Sequence, residues 1–295
     1  MEFFSKPLNK LKTFFCIMKA EDLYAILERD FIKEDMKDDW QEEIYEIKEY
    51  VTENFLNRYM GLVCNFAEEI NRVYTAVFPS KKVMQKILDD NAENAMLLCH
   101  HPAVWDIRLA PDVFSPMDKN YLEKFRKRNI PIYNLHVPLD DFNEYGTSVT
   151  LAKALGVKPV EPFGLYYGSF AGTFGKTDMT LEKLKEKFTE AVGHVVKLYN
   201  YGREIDDVAF IGGGGNQLDF LKEIKGKANT LVTGITLRNE RSEGAHRFAQ
   251  ENKINLLGGT HYSTEKFSMI AMVDYFKNLG LNAEFVEDEP LLEDI

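Results

Sequence analysis

The strongest constraint on this chain is an alternation of short apolar runs with amphipathic stretches, a pattern that suits a sheet covered by helices on both faces. Residues 73–78 read as a strand, Lys81–Asp89 as a helix and Ala95–Cys99 as a second strand; residues 120–128 and 130–135 add a helix and a third strand. The strand runs are continuously apolar rather than alternating, as expected of parallel strands buried on both faces. The texture then recurs. Residues 208–211, a glycine turn, residues 217–224 and Thr230–Thr233 repeat the strand–helix–strand order of residues 73–99. Residues 125–156 and 248–280 each run helix, strand, His-x-x-x-acid, helix, Leu-Gly. The expectation is an α/β fold of two similar lobes related by internal duplication, with mixed, mostly parallel sheets covered by helices. The expected division is an N-terminal extension over 1–17, a first lobe over 18–165 and a second over 166–295, with elements free to exchange across the boundary.

Other stretches are less regular. Residues 19–66, rich in Glu, Lys, Leu and Ile and without Gly or Pro until Gly61, read as helical. Residues 159–178, rich in Gly, Phe and Tyr, read as a connection or an irregular hairpin. The helix Leu181–Val192 follows, with Thr180 as its expected N-cap.

Composition narrows the function classes. The 295 residues carry 36 Lys and Arg against 47 Asp and Glu, a formal charge of −11, so nucleic acid is an unfavourable partner. Three cysteines, Cys16, Cys64 and Cys99, show no CxxC spacing, which fits a reducing compartment and argues against a structural zinc site. No apolar run approaches the ~18 residues of a membrane span. Residues 13–18 are apolar but lack a cleavage pattern, so the chain is expected to be cytoplasmic, and either Met1 or Met18 can be its start.

The residues that carry chemistry are histidines and acids at structurally matched points. Cys99-His100-His101-Pro102 stands where a buried strand meets a loop, while Thr233-Gly234 occupies that point in the second half. His136 stands four residues before Asp140, and His261 four before Glu265. His100, His101, Asp140, His261 and Glu265 supply three imidazoles and two carboxylates, a set that suits two divalent ions of Zn, Mn or Fe better than one. Ser263 or Thr264 is expected to cap a helix running through Phe267, Ile270, Met272 and Val273, which would place Glu265 in its first turn beside the positive end of the dipole. Cys99 is expected to pack. His136 is open between packing and a general acid or a group supporting the ligands. The Gly212-Gly213-Gly214-Gly215 turn is open between a tight turn and a phosphate cradle.

Three motifs, Leu98-Cys99-His100-His101-Pro102, Leu135-His136-Val137-Pro138-Leu139-Asp140 and Gly259-Thr260-His261-Tyr262-Ser263-Thr264-Glu265, resemble in order the signatures of the NIF-three-like family of dinuclear-metal-centre proteins. Some of its members are labelled type-two GTP cyclohydrolases. The resemblance runs from about Met18 to the C-terminal end. It implies that the five residues bind two metals in a cleft between the two lobes, that the chains form a toroidal homohexamer, and that a metal-bound hydroxide hydrolyses a small molecule, with a purine nucleotide such as GTP the named case. A non-enzymatic metal-binding scaffold is the alternative. Val137-Pro138 replaces the family's Thr-Asn, Ile235 follows Thr233-Gly234 where the family has Asp, and the inserted domain of some members is absent.

Overall fold

A computed structural model describes residues 17–109, 113–202 and 204–295. The extension expected over residues 1–17 lies, apart from Ile17, outside the described residues. Met18–Lys19 forms a short antiparallel pair with Glu69–Ile70.

Two sheets organise the described chain. The first has the strand order Asn282–Phe285, Arg72–Ala76, Ala95–Cys99, Ile132–Asn134, Gly61–Cys64. Its first four strands run parallel and Gly61–Cys64 closes the edge antiparallel. The second has the order Lys197–Tyr199, Asn255–Gly258, Thr230–Thr233, Asp207–Ile211, Ser169–Lys176, Lys158–Tyr166. Its three central strands from Asn255–Gly258 to Asp207–Ile211 are parallel, and the outer ones antiparallel.

Period-two alternation explains why the central strands are apolar throughout. In the first sheet Tyr74, Leu97 and Cys99 face the helices Lys81–Asp89 and Lys119–Lys127, whereas Val73, Met96 and Leu98 face Ala20–Phe31 and His261–Asn278. In the second sheet Ala209, Leu231 and Leu256 face Leu218–Ile224 and Glu243–Glu251, and Val208, Val232 and Leu257 face Thr147–Ala154 and Leu181–Val192. Ser80 and Thr180 cap their helices by accepting from the backbone N–H groups of Val83 and Lys183.

Two helices are exchanged between the sheets. Thr147–Ala154 follows the first sheet's Ile132–Asn134 strand, yet Leu151, Ala152 and Leu155 pack on the second sheet. The long helix His261–Asn278 follows the second sheet's Asn255–Gly258 strand, yet Met269, Met272, Val273 and Phe276 pack on the first. The two pass against each other, and Ser268 Oγ donates to the Tyr145 carbonyl at 2.6 Å. Both matched Leu-Gly steps end at a left-handed glycine, Gly156 at φ +72° and Gly280 at φ +84°.

Several expectations need correction. Residues 19–66 hold Ala20–Phe31, then an irregular crossing, short helical turns and the Gly61–Cys64 strand, because Leu62 and Cys64 pair with Tyr133 and Ile132 at a sheet edge. Residues 159–178 are a regular hairpin, Lys158–Tyr166 with Ser169–Lys176, interrupted by one bulge near Gly175. The strand Lys158–Tyr166 of that hairpin spans residue 165, and Asn282–Phe285 joins the first sheet, an exchange of the kind expected across that boundary. Ile270 lies on the solvent side of its helix at 43% exposure; the apolar stripe is Met269, Met272, Val273 and Phe276, spaced i, i+3, i+4, i+7.

This packing has a direct test. Met272→Ala should destabilise the protein by about 2–5 kcal/mol in urea unfolding, because it opens a cavity between helix and first sheet. Ile270→Ala should change stability by less than about 1 kcal/mol. Equal effects of the two substitutions would contradict the assigned helix face.

Candidate metal centre

The centre is built at the carboxyl ends of parallel strands from both sheets. Beyond Ala95–Cys99 the parallel ladder continues, with the His100 N–H donating to the Ala76 carbonyl at 3.1 Å and the His101 N–H to Val77 at 3.0 Å. Both rings are therefore fixed by backbone before any side-chain contact forms. The buried Asn134 amide donates to the His100 carbonyl and secures the turn. From the second sheet, Thr260 caps the helix His261–Asn278 by accepting from Ser263 N–H at 3.1 Å, while Ser263 Oγ accepts from Thr260 N–H at 3.0 Å. The cap thus precedes the expected Ser263 or Thr264, and Glu265 falls beyond the first turn. What holds Glu265 is the ring of imidazoles around it rather than the helix dipole.

Glu265 is the hub. Its Oε1 lies 3.1 Å from His261 Nε2 and its Oε2 3.0 Å from His101 Nε2, with His100 Nε2 at 3.6 Å from Oε1. Asp140 Oδ1 lies 3.4 Å from His100 Nε2 and accepts from Thr147 Oγ1 at 3.1 Å. His100 Nδ1 lies 3.2 Å from the Leu135 carbonyl, so Nδ1 carries the proton. His100 Nε2 is left buried between the carboxylates without a hydrogen-bond partner; His101 Nδ1 and His261 Nδ1 are also buried without partners among the described residues. An orphaned imidazole nitrogen aimed between two carboxylates fits a cation. The structure brings all five sequence-selected residues together. Ligand atoms lie within 4.8 Å of one another in the sets His101, His261, Glu265 and His100, Asp140, Glu265.

Electrostatics follow from this enclosure. Burial lowers the His100 pKa, but Glu265 and Asp140 overcome it and raise the ring to about 10. Burial, aided by repulsion from His100 and His136, holds His101 well below the ordinary histidine value despite Glu265. Burial raises Glu265, yet His261, His101 and His100 more than offset it and keep the carboxyl well below the usual range.

His136 proves to belong to the cluster. Its Nδ1 bonds Asp38 Oδ2 at 2.7 Å and its Nε2 lies 3.6 Å from Asp140 Oδ2, and it forms a third close set with His100 and His101. Burial lowers this ring as well, but Asp38 and Asp140 raise it on balance. Asp38 and Trp40 come from the irregular crossing that sequence alone reads as helix. Trp105 and Asp294 were also unmarked by any motif: Asp294 Oδ2 accepts from the His261 backbone N–H at 2.8 Å, and its Oδ1 from Trp105 Nε1 at 3.1 Å. Cys99 packs as expected. It is a buried free thiol, and burial pushes its pKa up and out of reactive range.

The glycine turn is a close-packed wall. Gly212, Gly213 and Gly215 donate their N–H groups to the hydroxyls of Ser148, Thr264 and Thr233 at 3.1, 3.0 and 2.9 Å. Gly213 has φ +66°, and a Cβ there would stand 2.3 Å from Glu265 Oε1 and 2.9 Å from His261 Nε2. Beside this wall a cavity of about 440 Å³ opens onto His101, His136, Asp140, His261 and Glu265. No helix among the described residues is long and apolar enough to cross a membrane.

Known proteins resemble this chain in sequence and in fold. The sequence profile described as Duf34/NIF3 (NGG1p interacting factor 3) matches residues 39–290. A relative from Pyrococcus horikoshii named GTP cyclohydrolase 1 type 2 homolog is 28% identical over 236 residues, covering 77% of this chain and 88% of its own length. One of the same name from Pyrococcus abyssi is 29% identical over 236 residues, with the same coverage of 77% and 88%. Among solved structures, reduced HcgD from Methanocaldococcus jannaschii superposes with a TM-score of 0.67 at 21% identity, over 93% of this chain and 100% of that one. TTHA1606 from Thermus thermophilus gives 0.65 at 21% identity, again over 93% and 100%. At that identity the two structures speak for the fold alone. The span of the profile match, more than half of the chain, places this protein in the Duf34/NIF3 family.

Proposed function

We propose that this chain is a hydrolase dependent on two divalent cations and acting on a small molecule bound in the cavity beside Glu265. The observation that carries the reading is the single buried carboxylate shared by two donor sets, His101 with His261 in one and His100 with Asp140 in the other. Zn, Mn and Fe suit these nitrogen and oxygen donors. Bound there, such ions supply Lewis-acid polarisation and activated water. The chain's own residues hold and orient. Thr147 positions Asp140, the Leu135 carbonyl fixes the His100 tautomer, and Asp294 anchors the backbone of His261. The Asp38–His136 pair lies beside Asp140 at the cavity wall, where a proton donor or acceptor could reach a bound ligand. The name carried by the relatives makes water-driven opening of a nitrogen heterocycle the reaction to examine first.

A second reading has its own support. The hairpin strand Lys158–Tyr166 is an edge of the second sheet, and Val160, Leu165 and Phe170 on that hairpin are exposed. Unshielded apolar edges commonly pair with another chain, so the cations could secure a ring assembly, such as a homohexamer, without turnover. Metal-dependent assembly measured by light scattering, with no hydrolysis of nucleotides, pterins or phosphodiesters, would favour this reading over the first.

Two measurements test the centre itself. Reconstituted protein should hold close to two equivalents of transition metal by elemental analysis, and Glu265→Ala or His261→Ala should weaken metal affinity by roughly tenfold or more. Less than one equivalent in the parent protein, or full retention in both variants, would overturn the assignment. Gly213→Ala should also release metal, because its Cβ meets the Glu265 and His261 ligand atoms. Gly214→Ala, whose Cβ meets only Ile235 Cδ1 at 3.6 Å, should keep it.

A further inference from the structure

The cavity beside the cluster has a charge pattern that the relatives' name does not anticipate. Its carboxylates and imidazoles are Asp38, Asp39, Glu43, Asp140 and Glu265 with three histidines, and there is no Lys or Arg among the described lining residues. Lys37 adjoins the rim in sequence but does not line it, and Lys33 is paired with Asp141 at 2.5 Å. Of the described residues, those whose charges act on half-buried Glu43 are other acids, Glu42, Asp39 and Asp38. Apart from the cations proposed at the cavity floor, the remaining source of phosphate ligands would be the glycine turn. Three of its backbone N–H groups are already held by Ser148, Thr264 and Thr233, and the helix after it, Leu218–Ile224, has only seven residues. A phosphate entering here would meet like charges without a compensating cation at the rim.

The rest of the lining is aromatic. Trp40 stands edge-on to His136 and His101 with ring centroids 5.1 and 5.6 Å away, and Tyr166 and Tyr167 form an edge-on pair at 4.6 Å. The Trp40 indole N–H is buried and has no acceptor among the described residues, and Trp40 is 5% exposed. Tyr167 is the more telling residue. It occupies the first position of a two-residue hairpin turn, Tyr167-Gly168, with φ of +46° and +85°. Both angles are positive, as in a type I′ turn, which strongly prefers Asn or Asp at that position. A bulky aromatic side chain there is backbone strain, and such strain concentrates at ligand clamps. Here it sets an exposed ring at the mouth of the cavity.

We propose that the cavity binds an unphosphorylated heteroaromatic molecule bearing N–H donors, with Trp40, Tyr166 and Tyr167 as its aromatic walls and the Asp39 and Glu43 carboxylates facing its donors. The inference rests on the reading of the cluster as the site of action and narrows its substrate class. The volume of about 440 Å³ falls in the range of small-molecule clefts and admits a heterocycle with a sugar-sized substituent. Aromatic faces hold such a ring by stacking, while a rim carboxylate accepts its N–H groups and repels a phosphate tail.

Calorimetric titration of the metal-reconstituted full chain with a panel of nucleobases and nucleosides, each beside its 5′-triphosphate, tests this. At least one unphosphorylated member should bind about tenfold more tightly than its triphosphate. Asp39→Asn with Glu43→Gln should narrow that ratio by several-fold. Tyr167→Asn should weaken the nucleoside by about tenfold while raising the melting temperature by about 2–4 °C, since it removes a stacking face and relieves the turn. A purely structural tyrosine would leave the affinity unmoved. Tighter binding of the triphosphates, no binding by any unphosphorylated member, or unchanged affinity in Tyr167→Asn would overturn the proposal. Metal content measured on the same samples separates the two readings: protein without metal refutes the centre, whereas metal-loaded protein that prefers triphosphate refutes only the substrate class.

Discussion

Everything at the centre of this molecule depends on keeping the Glu265 carboxylate charged while it is 3% exposed. A lone buried carboxylate would take up a proton, because transfer out of water disfavours the ion by far more than one hydrogen bond returns. Three imidazoles converge on it instead, at 3.0, 3.1 and 3.6 Å. The arrangement is reciprocal. His100 is held at about 10 by Glu265 and Asp140, while neighbouring His101, with its ring centroid 4.5 Å away, is forced neutral by burial and by His100. Removing one member of such a set leaves an uncompensated buried charge, typically costing about 3–5 kcal/mol. A cluster of this kind is a costly way to make a core. It makes sense where positive charge is meant to enter.

The exchanged helices explain how two sheets deliver ligands to one point. His261–Asn278 starts at the second sheet and lies on the first, while Thr147–Ala154 makes the opposite passage. Glu265 and Thr147 meet at the crossing, where Gly212 is the residue that lets them approach: a Cβ there would come within 2.9 Å of Thr147 and 3.4 Å of the Glu265 side chain. The relative placement of the sheets is thereby coupled to the separation of the two donor sets. Asp294 adds a third tie, since its backbone carbonyl accepts from the N–H groups of Thr236 and Leu237 while its carboxylate holds His261 and Trp105.

Legibility in the sequence divided along the line between local and tertiary causes. Lys81–Asp89, Ala95–Cys99, Leu181–Val192 and Thr230–Thr233 were readable to the residue, because caps and apolar runs are local signals. The five clustered residues were also readable, from the paired histidines after Ala95–Cys99 and from the two His-x-x-x-acid spacings. Periodicity tells which face of a helix is apolar but not which sheet will cover it, so which helices are exchanged was not legible. The cap falls at Thr260 and not at Ser263 or Thr264 because Thr, Ser and Thr stand within five residues and only the backbone angles choose among them. Asp38 and Trp40 left no motif: Asp38 acquires its role from a contact with His136, 98 residues away. Their segment has the composition of a helix but is drawn over the cavity.

The acid-rich lining and the aromatic mouth give the cavity two unlike ends. At the floor, three imidazoles and two carboxylates would carry net positive charge once divalent ions are held, so the floor favours an electron-rich oxygen or nitrogen. At the rim, Asp39 and Glu43 remain as unneutralised carboxylates and favour donors. A molecule lying between these ends is oriented by charge before stacking fixes its plane. Between these ends Ile235 presents an apolar side chain to the cavity wall. An acid at that position would have extended the negative rim towards the floor and blurred the contrast. With Ile235 there, the change of sign falls between the rim carboxylates and the cluster.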